Sequence, residues 1–115
     1  MRLVDHENPI TRAELKQMSA AMFGDLVKAV LDVRRDIMAV DAELPSDEEA
    51  FLVEQGSAQE DLWGINLYPD LQGREMVEFD SFINLRPSRG NRSRDVEDAT
   101  IRERILRIVE KVMGP

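Results

Sequence analysis

The chain lacks cysteine altogether and has one histidine, one tryptophan and one tyrosine among 115 residues. Without cysteine there is no disulfide, no thiolate nucleophile and no cysteine-ligated zinc or iron–sulfur site. The lone histidine, His6, lies in the opening segment and is given no role, which argues against a serine hydrolase built on a histidine base. No run of about 18 uncharged apolar residues occurs. The opening MRLVDHENP has no apolar run behind its arginine, so neither a membrane span nor a secretory signal is read. These absences point to a soluble, cytoplasmic protein. With 43% apolar residues the length suits one domain over residues 1–115, with 1–9 as a flexible lead-in.

Positive charge is scarce and unevenly placed. Residues 1–40 carry six bases and six acids, 41–80 one base and twelve acids, and 81–115 eight bases and five acids, giving 0, −11 and +3 within a net −8. The negative total disfavours nonspecific attraction to nucleic acid or an anionic membrane, because long-range steering follows summed charge. At physiological salt, screening limits the acidic charges to about 8 Å, so the basic stretch acts locally.

Periodicity then places the elements. Thr11 and Glu14 have capping-box spacing, and Leu15, Met18 and Met22 form an inward stripe, which predicts a helix over about 12–22 that stops at Gly24. Residues 26–44 read two ways. As a helix, Leu26, Val30, Val33, Ile37 and Val40 make a seam; as strands, Val27, Ala29, Leu31 and Val33 alternate, then Met38, Val40 and Ala42. The β-branched content and twofold period favour a hairpin. Ser46 and Glu49 suggest a second capping box and a short helix to Gln55, closed by Gly56.

LWGINLYP, residues 62–69, reads as a strand with Trp63, Ile65 and Leu67 inward. MVEFDSFINLRP, residues 76–87, returns with Val77, Phe79, Ile83 and Leu85 inward, so Asn66 faces Glu78, and Gln59 and Asp61 approach Asn84. Asp98 caps a last helix whose buried stripe is Ile101, Ile105, Ile108 and Val112. The expected fold is α+β: a two-layer sandwich in the order αββαββα, with four mostly antiparallel strands in two hairpins and three helices on one face.

AELPSDEEA, GSAQEDLWGINLYP and INLRPSRGNRS, followed by the terminal amphipathic helix, resemble a family of short prokaryotic proteins catalogued only as a domain of unknown function. The resemblance runs from about Ile10 to Val112 and implies a single domain without assigning an activity or a cofactor. It also leads to the expectation of a glycine at the first hairpin turn and a histidine in the segment after it. Asp36 and Pro45 stand there instead, which counts against any chemistry using that histidine.

Two functional readings follow. In the first, the stretch after Pro87 is part of a binding module that meets a protein or small ligand through an anionic group, with Asn66, Asn84, Arg86, Arg89, Asn91 and Arg92 as the contacts. Arginine supplies forked planar donors, and Gly90 lets successive N–H groups turn toward one anion. The competing account pairs Arg86 and Arg89 with the acidic middle of the chain and uses Asn91 or Ser93 in a local turn. In the second, Asp32, Asp61 and Asp80 gather Mg²⁺ or Mn²⁺ for phosphodiester hydrolysis, although no spacing matches a metal motif. Asp32 sits within an apolar strand, where a buried carboxylate needs a partner such as Arg86. No cofactor is implied. Self-association through a sheet edge or helix face is a third reading.

Overall fold

The computed structural model describes residues Met1–Gly114. Its elements are β1 (Arg2–Val4), α1 (Arg12–Ala21), β2 (Val27–Asp32), β3 (Ile37–Val40), α2 (Pro45–Glu54), β4 (Leu62–Leu67), β5 (Val77–Glu78) and α3 (Ala99–Val112). The sheet is antiparallel, in the order β1-β3-β2-β4-β5. The class is α+β with three helices, as the pattern predicts, but the strands number five. The additional one is β1, which pairs Arg2 with Val40 and Val4 with Met38; the opening segment is thus an edge strand. Its three residues are too few to show a period, and Val4 and Leu3 pack into the two different cores.

Residues 26–44 do form the hairpin, and its turn is built by side-chain chemistry. Asp32 Oδ1 accepts the backbone N–H groups of Arg34 and Arg35 at 2.9 and 3.0 Å, tightening the chain as it leaves β2. Asp36 then takes φ 57°, the left-handed region where a glycine would be unstrained. Its carboxylate is held there by Arg104 at 2.8 Å and Lys111 at 3.0 Å.

Alternation divides the sheet's side chains between two cores. Ala29, Leu31, Met38, Val40, Trp63, Ile65 and Leu67 face α1 and α3, joining Leu15, Ile105, Ile108 and Val112. Val30, Ile37, Ala39 and Leu62 point the other way, onto Leu52 of α2. The expectation of two layers with all helices on one face is therefore corrected: α2 covers the opposite side. The sheet needs that cover because β2, β3 and β4 carry apolar residues at successive positions as well as alternate ones, the mark of strands buried on both faces.

The helix ends show one success and one correction. The Thr11 hydroxyl accepts the Glu14 N–H at 3.1 Å, and Glu14 Oε1 accepts the Thr11 N–H at 3.0 Å, completing the expected box. Ser46 caps nothing: α2 begins at Pro45, whose fixed φ suits a first helical position, with Leu44 as the cap residue and no side-chain cap bond.

The largest departure lies after β5. The strand expected to run to Pro87 lasts two residues, then gives way to 3₁₀ turns at Phe82–Asn84 and Pro87–Arg89. Ile83 reaches the second core, but Leu85 is 47% exposed and Phe82 70% exposed. Gly64 permits this path: a Cβ there would lie 2.4 Å from Ser81 Oγ, so the loop can cross β4 only where the strand has no side chain.

Candidate functional site

Because β5 is so short, β4 has backbone groups on its outer edge with no strand opposite, and unpaired polar backbone cannot remain buried. Side chains fill the gap. Glu78 pairs with Asn66 as β5 ends. Farther along, the Gly64 N–H donates to Asn84 Oδ1 at 2.8 Å, while Asn84 Nδ2 donates to the Gly64 carbonyl at 2.9 Å. Beyond that, Arg86 Nη2 donates to the Leu62 carbonyl at 2.5 Å. An asparagine amide and a guanidinium thus continue the ladder that the sequence pattern assigned to strand backbone.

The loop is closed on itself by the other asparagine. Asn91 Nδ2 donates to the carbonyls of Asn84, Ser93 and Asp95 at 2.7, 3.1 and 2.7 Å, and its Oδ1 accepts the Glu97 N–H at 2.9 Å. Arg86 and Asn91 also bridge through their backbones, at 2.8 and 3.2 Å. Asn84 and Asn91 are buried and their amides stabilise the loop from within, and Asn91 also lines one of the two grooves beside Arg86. Asn66 lies opposite Glu78, as the register predicts, and donates to its carboxylate at 2.8 Å; Tyr68 OH donates to the same oxygen at 3.0 Å. With β5 cut short, Gln59 and Asp61 do not face Asn84; its backbone partner is Gly64.

The arginines are placed differently. Arg86 is largely enclosed, with its guanidinium 5.0 Å from the Trp63 ring centre and 3.5 Å from Glu49. Its Nη1 is buried and has no hydrogen-bond partner among the described residues. Burial pulls its pKa below the ordinary arginine range, an effect that Glu49 opposes and Arg89 reinforces. Arg89 is exposed and pairs with Glu60 at 3.1 Å. Two grooves flank this pair. One, of about 500 Å³, runs past Gln59, Leu85 and Ser88; the other, of about 450 Å³, runs past Trp63, Asp98 and Ile101. Both are also lined by Glu60, Arg86 and Arg89, so the two arginines form their shared wall. Arg92 lines neither groove; its backbone N–H donates to Glu97 at 2.9 Å.

The proposed carboxylate trio does not assemble. Asp32 is spent on its turn, Asp80 is bound by Arg94 at 2.6 Å, and among the described residues no group of three histidines or carboxylates could hold a metal ion. Nor does Asp32 meet Arg86, whose acidic neighbour is Glu49.

The periodicity did not single out Glu48. It is fully buried on the inner face of α2, both carboxylate oxygens lack partners, and burial pushes its pKa up to about 9. The Ala42 backbone N–H, which misses hydrogen-bond geometry, and the Lys28 charge offset only part of that. Its position four residues before buried Leu52, on one helical face, was the available signal.

Sheet, loop and grooves together define a small α+β domain with an arginine-walled end. The chain belongs to the family described as "Protein of unknown function (DUF5674)", whose sequence pattern matches residues 4–112. No curated protein and no solved structure matches it.

Proposed function

We propose that the domain is a binding module that receives an anionic group, carried by a partner protein or a small ligand, at the wall formed by Arg86 and Arg89. The observation that carries this reading is the Nη1 of Arg86: a buried charged donor without an acceptor, beside two grooves. Leaving a buried charged donor unpaired costs more than an ordinary missing hydrogen bond; Nη1 is closed off from solvent, so a carboxylate or phosphate oxygen supplies the acceptor it lacks once the Arg86 side chain turns toward a groove. Arg89 supports it. Its pair with Glu60 is more than half exposed on both sides and so is weakly held, leaving the guanidinium free to turn to a ligand.

The contacts in this reading are Arg86 and Arg89, with Gln59 and Ser88 as neutral partners along the first groove. Asn66, Asn84 and Asn91 serve as the frame, and Arg92 lies outside. Titration with inorganic phosphate and with acetate, followed by the side-chain N–H resonances of the arginines, tests it. Saturable shifts at Arg86 and Arg89 that vanish in Arg89→Ala are expected. Linear, unsaturated shifts spread over all arginines would rule the site out.

A further inference from the structure

A second site lies elsewhere. Between α3 and the short β5 edge runs a trough of two adjoining volumes, about 600 and about 440 Å³, which share Arg74, Val77 and Leu106 as lining. It exists because β5 has two residues and α3 has fourteen, so a helix about 21 Å long lies beside an edge strand it outruns. The floor is apolar: Met76, Val77, Leu106, Val109 and Met113 line the larger part, and Phe79 extends it. The larger volume alone is of the size that small-molecule sites have.

The rim carries the opposite character. Arg12, Arg74 and Arg107 line the larger volume against one carboxylate, Glu110, in a chain of net charge −8. The neighbours of Arg107 are occupied: Arg104 and Lys111 hold Asp36, and Arg74 holds Glu103. Arg107 itself enters no ion pair among the described residues. Arg12 is anchored through Nη1 to the Pro69 and Leu71 carbonyls, the latter at 2.7 Å, which fixes a second guanidinium in place and leaves its other donors free.

We infer that this trough binds a carboxylic acid with a linear apolar tail, the tail lying over Met76, Val77, Leu106 and Val109 and the carboxylate meeting Arg107. An apolar floor drawn out along α3 from Leu106 to Met113 accommodates an unbranched chain, and a guanidinium at its edge pairs two parallel N–H donors with two carboxylate oxygens. The site shares no lining residue with the Arg86 grooves, so either can fail without the other.

The test is an amide NMR titration of the whole chain with decanoate and, separately, decan-1-ol, both kept below their aggregation thresholds. Decanoate should give saturable shifts at Met76, Val77, Leu106, Val109 and Met113. The alcohol, with the same tail and no charge, should bind roughly tenfold more weakly. Arg107→Ala, at an exposed position, should keep a dispersed spectrum and bring decanoate down to the level of the alcohol. Equal binding of acid and alcohol, unsaturated shifts, or an Arg107→Ala protein that binds decanoate unchanged would overturn the inference.

Discussion

Asn84 and Gly64 face each other across the outer edge of β4 and exchange two hydrogen bonds, at 2.8 and 2.9 Å, in the manner of paired strand residues. One side-chain amide supplies both the acceptor and the donor that an adjacent strand would have contributed. This relationship explains why INLRPSRGNRS can leave the sheet without stranding the backbone of β4.

Asn84→Ala removes both bonds and a third, from Nδ2 to the Arg94 carbonyl at 3.0 Å. Each buried group left unsatisfied costs about 1–3 kcal/mol, so a loss of roughly 2–4 kcal/mol is expected in urea unfolding. A loss below about 1 kcal/mol would show that the amide is dispensable.

Gly64→Ala tests the close crossing. The new Cβ would lie 2.4 Å from Ser81 Oγ and 2.5 Å from Ser81 Cβ, so the loop must lift from the strand. Overpacking of this kind costs about 1–3 kcal/mol, and the double change Gly64→Ala with Ser81→Gly should recover part of it. Unfolding midpoints of Gly64→Ala, Ser81→Gly and the double change decide the matter.

How much of this was legible in the sequence follows from which interactions are periodic. The hairpin over 27–40, the α3 stripe and the Thr11–Glu14 cap depend on spacing within one element, and all were read correctly. The route after Glu78 was not, because the apolar residues Val77, Phe79, Ile83 and Leu85 keep a strand-like period while a crossing at Gly64 decides their fate. The roles of the asparagines are hidden for a related reason. An amide that satisfies a distant backbone and one that awaits a substrate have the same identity in sequence; only the three-dimensional partner separates them. The ion pairing of Arg86 with Glu49 and of Arg89 with Glu60, both in the acidic middle segment, is by contrast foreseeable from charge distribution alone.

Asp32 offers a graded comparison. Its Oδ1 accepts two turn amides while Oδ2 is buried without a partner. Asp32→Asn keeps an acceptor for the turn, whereas Asp32→Ala removes it. Thermal unfolding should show Asp32→Ala the less stable of the two by about 1–2 kcal/mol. Equal midpoints would mean that the turn does not depend on the carboxylate.

Glu48 gives the protein an alkaline liability. Its folded-state pKa, about 9, lies above the ordinary 4.5, so the folded chain binds this proton more tightly than the unfolded chain. The stability contributed by neutral Glu48 is complete below pH 4.5 and is lost progressively as pH rises through 9. The charges around it are Lys28, Asp41 and the N-terminal amine. Glu14 acts in the reverse sense: hydrogen bonds from Arg2 and Thr11 hold its pKa near 2, so its contribution is present above 4.5 and is lost as pH falls through 2. Urea unfolding from pH 5 to 9 should therefore show declining stability. Glu48→Gln should flatten that decline and add roughly 1–3 kcal/mol at pH 8.

Hydrogen exchange at the Gly64 amide reads the central relationship without any substitution. If Asn84 replaces a strand at the β4 edge, this N–H should exchange as slowly as the β4 amides that pair with β2, and in Asn84→Ala it should become fast while those neighbours stay protected. A Gly64 amide that exchanges rapidly in the unaltered protein would contradict the account.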